Sequence, residues 1–266
     1  MGEGMSMLGF IKKYCGTLIF FTLVGLVGGF FVGLYLLDGY PESVRAELII
    51  ELEGMGVGGD LAGVVLGVIT AFQSAGYGLV LGAVGIYFAK KVGLWRDEKH
   101  ITKKPLMISA LAALVCGAVM ILSDVLFFGR YSDVIMSSYA AKPSLDYIIA
   151  TVTYAAVIEE VMCRLLAMSL AAFLLHRLFE KNKEMPSTFV LISANLISAM
   201  LFAAGHLPVT VMMIGTSPLI IFRCFLLNGG LGLVFGWLYR RWGLRYAMIA
   251  HGGCHVVSKL IWVLLL

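Results

Sequence analysis

Charge is what this sequence has least of. Asp, Glu, Lys and Arg make up 14% of its 266 residues, where a soluble domain carries about 25%. With 60% hydrophobic residues and a mean hydropathy of +0.94, that shortage excludes an ordinary soluble domain and points to a polytopic membrane protein. The length suits one bundle of helices and leaves no room for a sizeable soluble domain, so residues 1–266 read as a single integral membrane domain. Cysteines are few and scattered (Cys15, Cys116, Cys163, Cys224, Cys254), with no Cys-x-x-Cys, which excludes a disulfide framework and a thiolate zinc site. His-Glu-x-x-His is missing, and with it the standard zinc-protease signature. No repeat of the whole chain is visible, which argues against an inverted-repeat transporter. The formal charge of +4 comes mostly from cations in loops beside apolar runs, so it implies no nucleic-acid partner.

What is present is a series of apolar runs near 15–37, 61–89, 105–128, 144–175, 187–206, 217–239 and 246–266, each long enough to cross a bilayer. The first is too long for a cleaved signal peptide and has no small-residue cleavage site, so it reads as a retained span. Lys12 and Lys13, the 90–104 loop with Lys90, Lys91, Arg96, Lys99, Lys103 and Lys104, then Arg177, Lys181 and Lys183, and finally Arg240, Arg241 and Arg245 fall in alternate loops. The positive-inside rule then puts the N-terminus inside and the C-terminus outside, after seven passes. Between the first two runs, residues 41–53 set Val44, Leu48 and Leu52 on one stripe with Glu42, Glu47 and Glu51 interleaved. A short amphipathic helix capping the bundle is expected there. The fold class is therefore all-α, a membrane helix bundle of about seven to eight helices. Glycines at four-residue spacing, such as Gly25, Gly29 and Gly33, predict close helix crossings.

One apolar run holds three charges. Glu159, Glu160 and Arg164 stand within the fourth span, where each charge left unpaired in hydrocarbon costs roughly 2.5–3.5 kcal/mol. Glu160 and Arg164, at i and i+4, can pair across a turn. Glu159 points about 100° away on an α-helix and is left for another partner. The fifth span ends at His206, unless a helix kinked at Pro208 continues outward and sets that histidine deeper. The last holds His251-Gly-Gly-Cys-His255, two imidazoles on one face with small residues clearing space beside them. If these groups converge, two chemistries are open. A carboxylate and imidazoles can deprotonate water and stabilise an oxyanion without metal, or Glu159, His206, His251 and His255 can hold a zinc ion. A structural alternative is a buried ion pair that locks helices together.

Glu159-Glu160-Val-Met-Cys-Arg164 matches the Glu-Glu-x-x-x-Arg motif of the CAAX protease and bacteriocin-processing (CPBP) family of intramembrane proteases, and Phe202-Ala-Ala-Gly-His206 matches its Phe-x-x-x-His. His251-Gly-Gly-Cys-His255 aligns with a third motif, typically His-x-x-x-Asn. The stretch 144–262 thus resembles the family's catalytic core. The resemblance implies a glutamate-dependent intramembrane endopeptidase, and in eukaryotic members removal of the C-terminal tripeptide from prenylated C-a-a-X proteins. Carried over, Glu159 activates water with His206, His251 helps form the oxyanion site, and Glu160 and Arg164 support them. The implied partners are the bilayer and a peptide or prenylated protein substrate; no cofactor is implied. His255 departs from the pattern. It brings a titratable ring and a potential metal ligand where an amide is usual, which keeps zinc open.

Other polar residues in apolar surroundings (Gln73, Asp124, Asn195, Arg223, Asn228, Lys259) read as hydrogen bonds that lock the bundle, with Asn195 and Asn228 near enough in sequence to support the site. Cys163 and Cys254 adjoin the motifs, but a cysteine nucleophile would need a histidine that the glutamate chemistry already uses. Asp60 and Asp124 sit at span ends without a motif, so an aspartyl pair is poorly served. The competing functions are a non-catalytic membrane scaffold or immunity factor, and a proton path through the histidines.

Overall fold

The computed structural model describes residues 6–97 and 100–266; Lys99, counted above among the loop cations, lies outside the described residues. Among the described residues there are helices and no strands. We number them α1 (Met7–Gly39), α2 (Glu42–Gly54), α3 (Gly59–Lys91), α4 (Lys103–Leu126), α5 (Asp133–Ser137), α6 (residues 145–179), α7 (Thr188–Ile214), α8 (Pro218–Trp242) and α9 (Leu244–Leu265).

Six of these, α1, α3, α4, α7, α8 and α9, are long and apolar enough to cross a membrane. The fourth expected span, 144–175, is not among the six. It is helical, and it winds as π-helix through Thr151–Glu159 and Val161–Met168. Widened turns of this kind are rare and concentrate at functional sites. Large apolar side chains such as Phe72 and Phe189 are exposed around the bundle, as expected of a surface solvated by lipid.

Close helix crossings set the architecture. At Gly25 a Cβ would stand 2.5 Å from the carbonyl oxygen of Ser74, so α1 and α3 meet backbone to backbone. Thr70 adds a hydrogen bond from its hydroxyl to the carbonyl of Gly29, at 2.7 Å. At Gly117 of α4 a Cβ would stand 2.6 Å from the carbonyl oxygen of Cys254 on α9. The α2 helix keeps Glu42, Glu47 and Glu51 exposed while burying Leu52 and half-burying Val44 and Leu48.

The cation-rich loops gather at one end. Lys13 pairs with Asp97 at 3.0 Å, Met185 lies against Gly93, and Arg96 lies against Gly243. At the opposite end Asp124 and Arg223 form a buried ion pair, to which Tyr139 donates at 2.7 Å, and Lys142 donates to the carbonyl of Val263 at 2.7 Å. Asp124 and Arg223 are thus bundle locks. The α7 helix starts on a Ser187 cap and runs through Pro208 to Ile214, where Gly215 ends it at φ +115°. It continues two turns beyond His206, which sets that histidine inside the bundle instead of at the helix end.

Candidate active site

The groups singled out by the motifs come together on α6, α7 and α9. Glu160 and Arg164 are fully buried, and the Glu160 Oε1 lies 3.1 Å from the Arg164 Nη1. The same oxygen accepts from His251 Nδ1 at 2.9 Å. Arg164 also donates to the carbonyl of Gly232 at 3.0 Å, tying α6 to α8. Its guanidinium lies over the rings of Phe202 and Phe235, 4.6 and 5.6 Å from their centroids. A charge pair of this depth persists only when both partners are held, and here an imidazole, a carbonyl and two ring faces hold them. Ser198 fastens α7 to the same segment with a 2.6 Å hydrogen bond to the carbonyl of Cys163.

Glu159 faces the other way, and its side chain is 18% exposed. Its Oε1 lies 3.9 Å from His206 Nε2, and its Oε2 lies 3.9 Å from His251 Nε2. On widened turns successive side chains diverge by less than the 100° of an α-helix. Neighbouring carboxylates therefore address opposite nitrogens of one ring.

The tautomers follow from what the other nitrogens meet. His206 Nδ1 stands 2.9 Å from the carbonyl of Phe202, which can only accept, so a proton is on Nδ1 and, in the neutral ring, Nε2 offers a lone pair. The carboxylate of Glu160 fixes the proton of His251 on Nδ1 in the same way. Rings lock the orientation: Phe235 stacks on His251 at 4.6 Å and 19°, and Phe202 meets His206 edge-on at 4.5 Å. A gap of 3.9 Å between oxygen and nitrogen is too long for a hydrogen bond, yet one water can bridge it with contacts of about 2.8 Å.

His255 does not touch Glu159. Its ring stacks on His251 at 5.1 Å and 29°, and its Nδ1 lies 3.3 Å from the Nζ of Lys259. For a zinc shell, ligand atoms must sit about 2.0–2.2 Å from one centre. Among the described residues no three His, Cys, Asp or Glu side chains are arranged in that way.

A cavity of about 330 Å³ adjoins these groups. Glu159, His206, His251, His255, Phe202 and Phe235 line its polar part, while Val32, Tyr35 and Leu36 of α1, Tyr147 of α6 and Val209, Met213 and Ile214 of α7 carry it toward the end opposite the basic loops. Of the residues set aside for a supporting role, Asn228 lines the cavity, while Asn195 donates to the carbonyl of Leu233. Sequence reasoning assigned no role to Phe235 or Tyr147, whose signal is only that of aromatics in apolar helices. It read Lys259 as a bundle lock, although the i, i+4 spacing from His255 pointed to that contact.

No curated protein and no solved structure matches this chain. Residues 142–257 match a family model, and that stretch holds all three motifs with Glu159, Glu160, Arg164, His206, His251 and His255. The matching model is described as type II CAAX prenyl endopeptidase Rce1-like, and this stretch of the chain is similar to that family.

Proposed function

We propose that the protein is an intramembrane endopeptidase in which Glu159 activates water without a metal ion. The substrate class proposed is a peptide ending close to the membrane, with removal of a C-terminal tripeptide from a prenylated C-a-a-X chain as the specific reaction. The observation that carries this reading is the position of Glu159, whose two oxygens each lie 3.9 Å from an imidazole Nε2 at the edge of a cavity.

Water held between Glu159 and His206 attacks the scissile carbonyl carbon as Glu159 takes its proton. The carbonyl becomes an oxyanion. Glu159 passes the proton it took from water to His251 Nε2, which faces its Oε2. As the C–N bond breaks, the leaving amine takes that proton from Nε2. His251 suits that transfer. Its Nδ1–H is committed to Glu160, whose carboxylate stabilises the imidazolium formed when Nε2 gains a proton, as a carboxylate does behind a triad histidine. This role differs from the oxyanion role expected from the motif. A ring with its proton on Nδ1 presents an acceptor at Nε2 and becomes a donor there only after protonation. The oxyanion donor is instead assigned to His255, half-buried on the cavity wall.

A lipidated substrate needs a way in from the bilayer. Both α1 and α7 line the cavity, and Met213 of α7 reaches Gly39 of α1 near their ends. We assign the lateral entrance to this seam. The basic end, holding Lys13 and Arg96, is proposed to face the cytoplasm, which puts the cavity mouth on the far side. Labelling of Lys12→Cys and Tyr40→Cys with a membrane-impermeant thiol reagent in intact cells tests this, with only Tyr40→Cys expected to react.

Cleavage of a farnesylated C-a-a-X peptide by purified protein, beside Glu159→Ala and with and without a chelator, tests the reaction. Cleavage lost in the variant and indifferent to chelator is the expected result. Inhibition by chelator would return zinc to the site. A Glu159→Ala protein that keeps full biological function would favour the scaffold reading.

A further inference from the structure

Lys259 has no place in the mechanism above, yet it is only 5% exposed and sits two helical turns along α9 from His251. Among the described residues none of the ion pairs includes it. Its ammonium lies over the ring of Tyr147, 4.1 Å from the centroid, and 3.3 Å from His255 Nδ1. A ring face stabilises a cation, and an ammonium has three N–H donors and no acceptor. The nitrogen that faces it must therefore be a lone pair. In a neutral imidazole that leaves the proton on Nε2, on the other side of the ring, where it has no hydrogen-bond partner among the described residues. The three site histidines thus differ. His206 and His251 keep their protons on Nδ1 through a carbonyl and a carboxylate, whereas His255 faces a donor and is set the opposite way.

We propose that Lys259 is a positioning residue that fixes His255 as a neutral Nε2–H donor toward the cavity, so that this histidine stabilises the oxyanion. The inference rests on the hydrolytic reading of the site. Without Lys259 the ring can place its proton on either nitrogen, and the tautomer with Nδ1–H turns a lone pair toward the developing negative charge.

Four proteins test it: wild type, Lys259→Met, His255→Asn and the double variant, assayed on a farnesylated C-a-a-X peptide. The amide introduced by His255→Asn carries its N–H by covalent structure and needs no partner to set it. Removing an oxyanion donor costs about 10²–10³ in kcat, so loosening one is expected to cost about 10- to 100-fold with KM little changed. That loss on Lys259→Met should appear in the wild-type background and shrink to less than about threefold when His255→Asn is the reference. Equal losses in both backgrounds would overturn the proposal, since a merely structural lysine is missed equally in either. Nitrogen NMR of ¹⁵N-histidine protein gives a readout independent of turnover. The ring whose signals vanish in His255→Asn should show a protonated Nε2 and a bare Nδ1, and should lose that pattern in Lys259→Met. A protonated Nδ1 in the wild type, or an unchanged pattern in Lys259→Met, would overturn the proposal. The expected pattern in a protein that cleaves nothing would support the positioning role and count against the hydrolytic reading alone.

Discussion

The Nδ1 of His251 lies 2.9 Å from the Oε1 of Glu160, and that contact joins the ion pair of α6 to the proton chemistry of α9. One buried oxygen thus serves both a guanidinium and an imidazole. In the proposed mechanism Glu160 is structural toward Arg164 and functional toward His251, and the two roles should separate under mutation. Breaking a buried pair from one side leaves an uncompensated charge and costs about 3–5 kcal/mol. Arg164→Met should therefore lower the unfolding free energy in detergent by about that much, and the double change Glu160→Gln with Arg164→Met should recover part of the loss. Peptide cleavage should not recover in the double variant, because the carboxylate behind His251 is gone. Recovery of both together would show that Glu160 serves the fold alone.

His206 is held at Nδ1 by the carbonyl of Phe202, so its free nitrogen faces Glu159 at 3.9 Å. If it positions the attacking water, His206→Ala should lower kcat by about 10²–10⁴ while leaving KM within a few-fold. Its side chain is 30% exposed, so thermal stability should change little. A rise in KM at constant kcat would move His206 from the water to the binding of substrate.

Much of this site is legible in the sequence because charge is so costly in hydrocarbon. Glu159, Glu160, Arg164 and the three histidines stand out against their apolar helices without any structure. The spans are legible for the same reason, but the π winding of α6 has no sequence signature. Partners far apart in the chain are not legible: the ion pair of Asp124 with Arg223 joins residues 99 positions apart. Nor can periodicity tell which aromatic becomes a wall, as Phe235 does on His251, or choose between a helix that stops at His206 and the one that runs on through Pro208. The two carboxylates are another such case. Ideal α-helical spacing sends Glu159 about 100° from Glu160, yet both carboxylates face His251, one at each ring nitrogen.

Gly25 offers a test of the scaffold apart from the chemistry. A Cβ there would lie 2.5 Å from the carbonyl oxygen of Ser74, so Gly25→Leu must push α1 away from α3. Overpacking of this kind costs about 1–3 kcal/mol, and the backbone here cannot yield as a side chain would. A lowered melting temperature in detergent is expected, with kcat of the surviving folded protein near that of the wild type. No loss of stability would mean that α1 and α3 stand further apart than the crossing requires.

In the proposed lateral entrance between α1 and α7, Met213 is the residue expected to gate a lipid. Its terminal methyl lies against Gly39, where a Cβ would stand 2.6 Å away, and its side chain also lines the cavity that reaches Glu159. Methionine is unbranched and adaptable, so it can fill such a seam and still swing aside for an isoprenoid. Met213→Trp should obstruct that movement while leaving the catalytic groups untouched. The expected result is a KM raised about tenfold for a farnesylated peptide, with an unprenylated peptide of the same sequence affected less than about twofold; each tenfold step corresponds to about 1.4 kcal/mol of lost binding. Met213→Ala should widen the seam and leave both KM values within a few-fold of the wild type. If Met213→Trp impairs the two peptides equally, the seam is a route for the peptide itself, and any lipid must enter elsewhere.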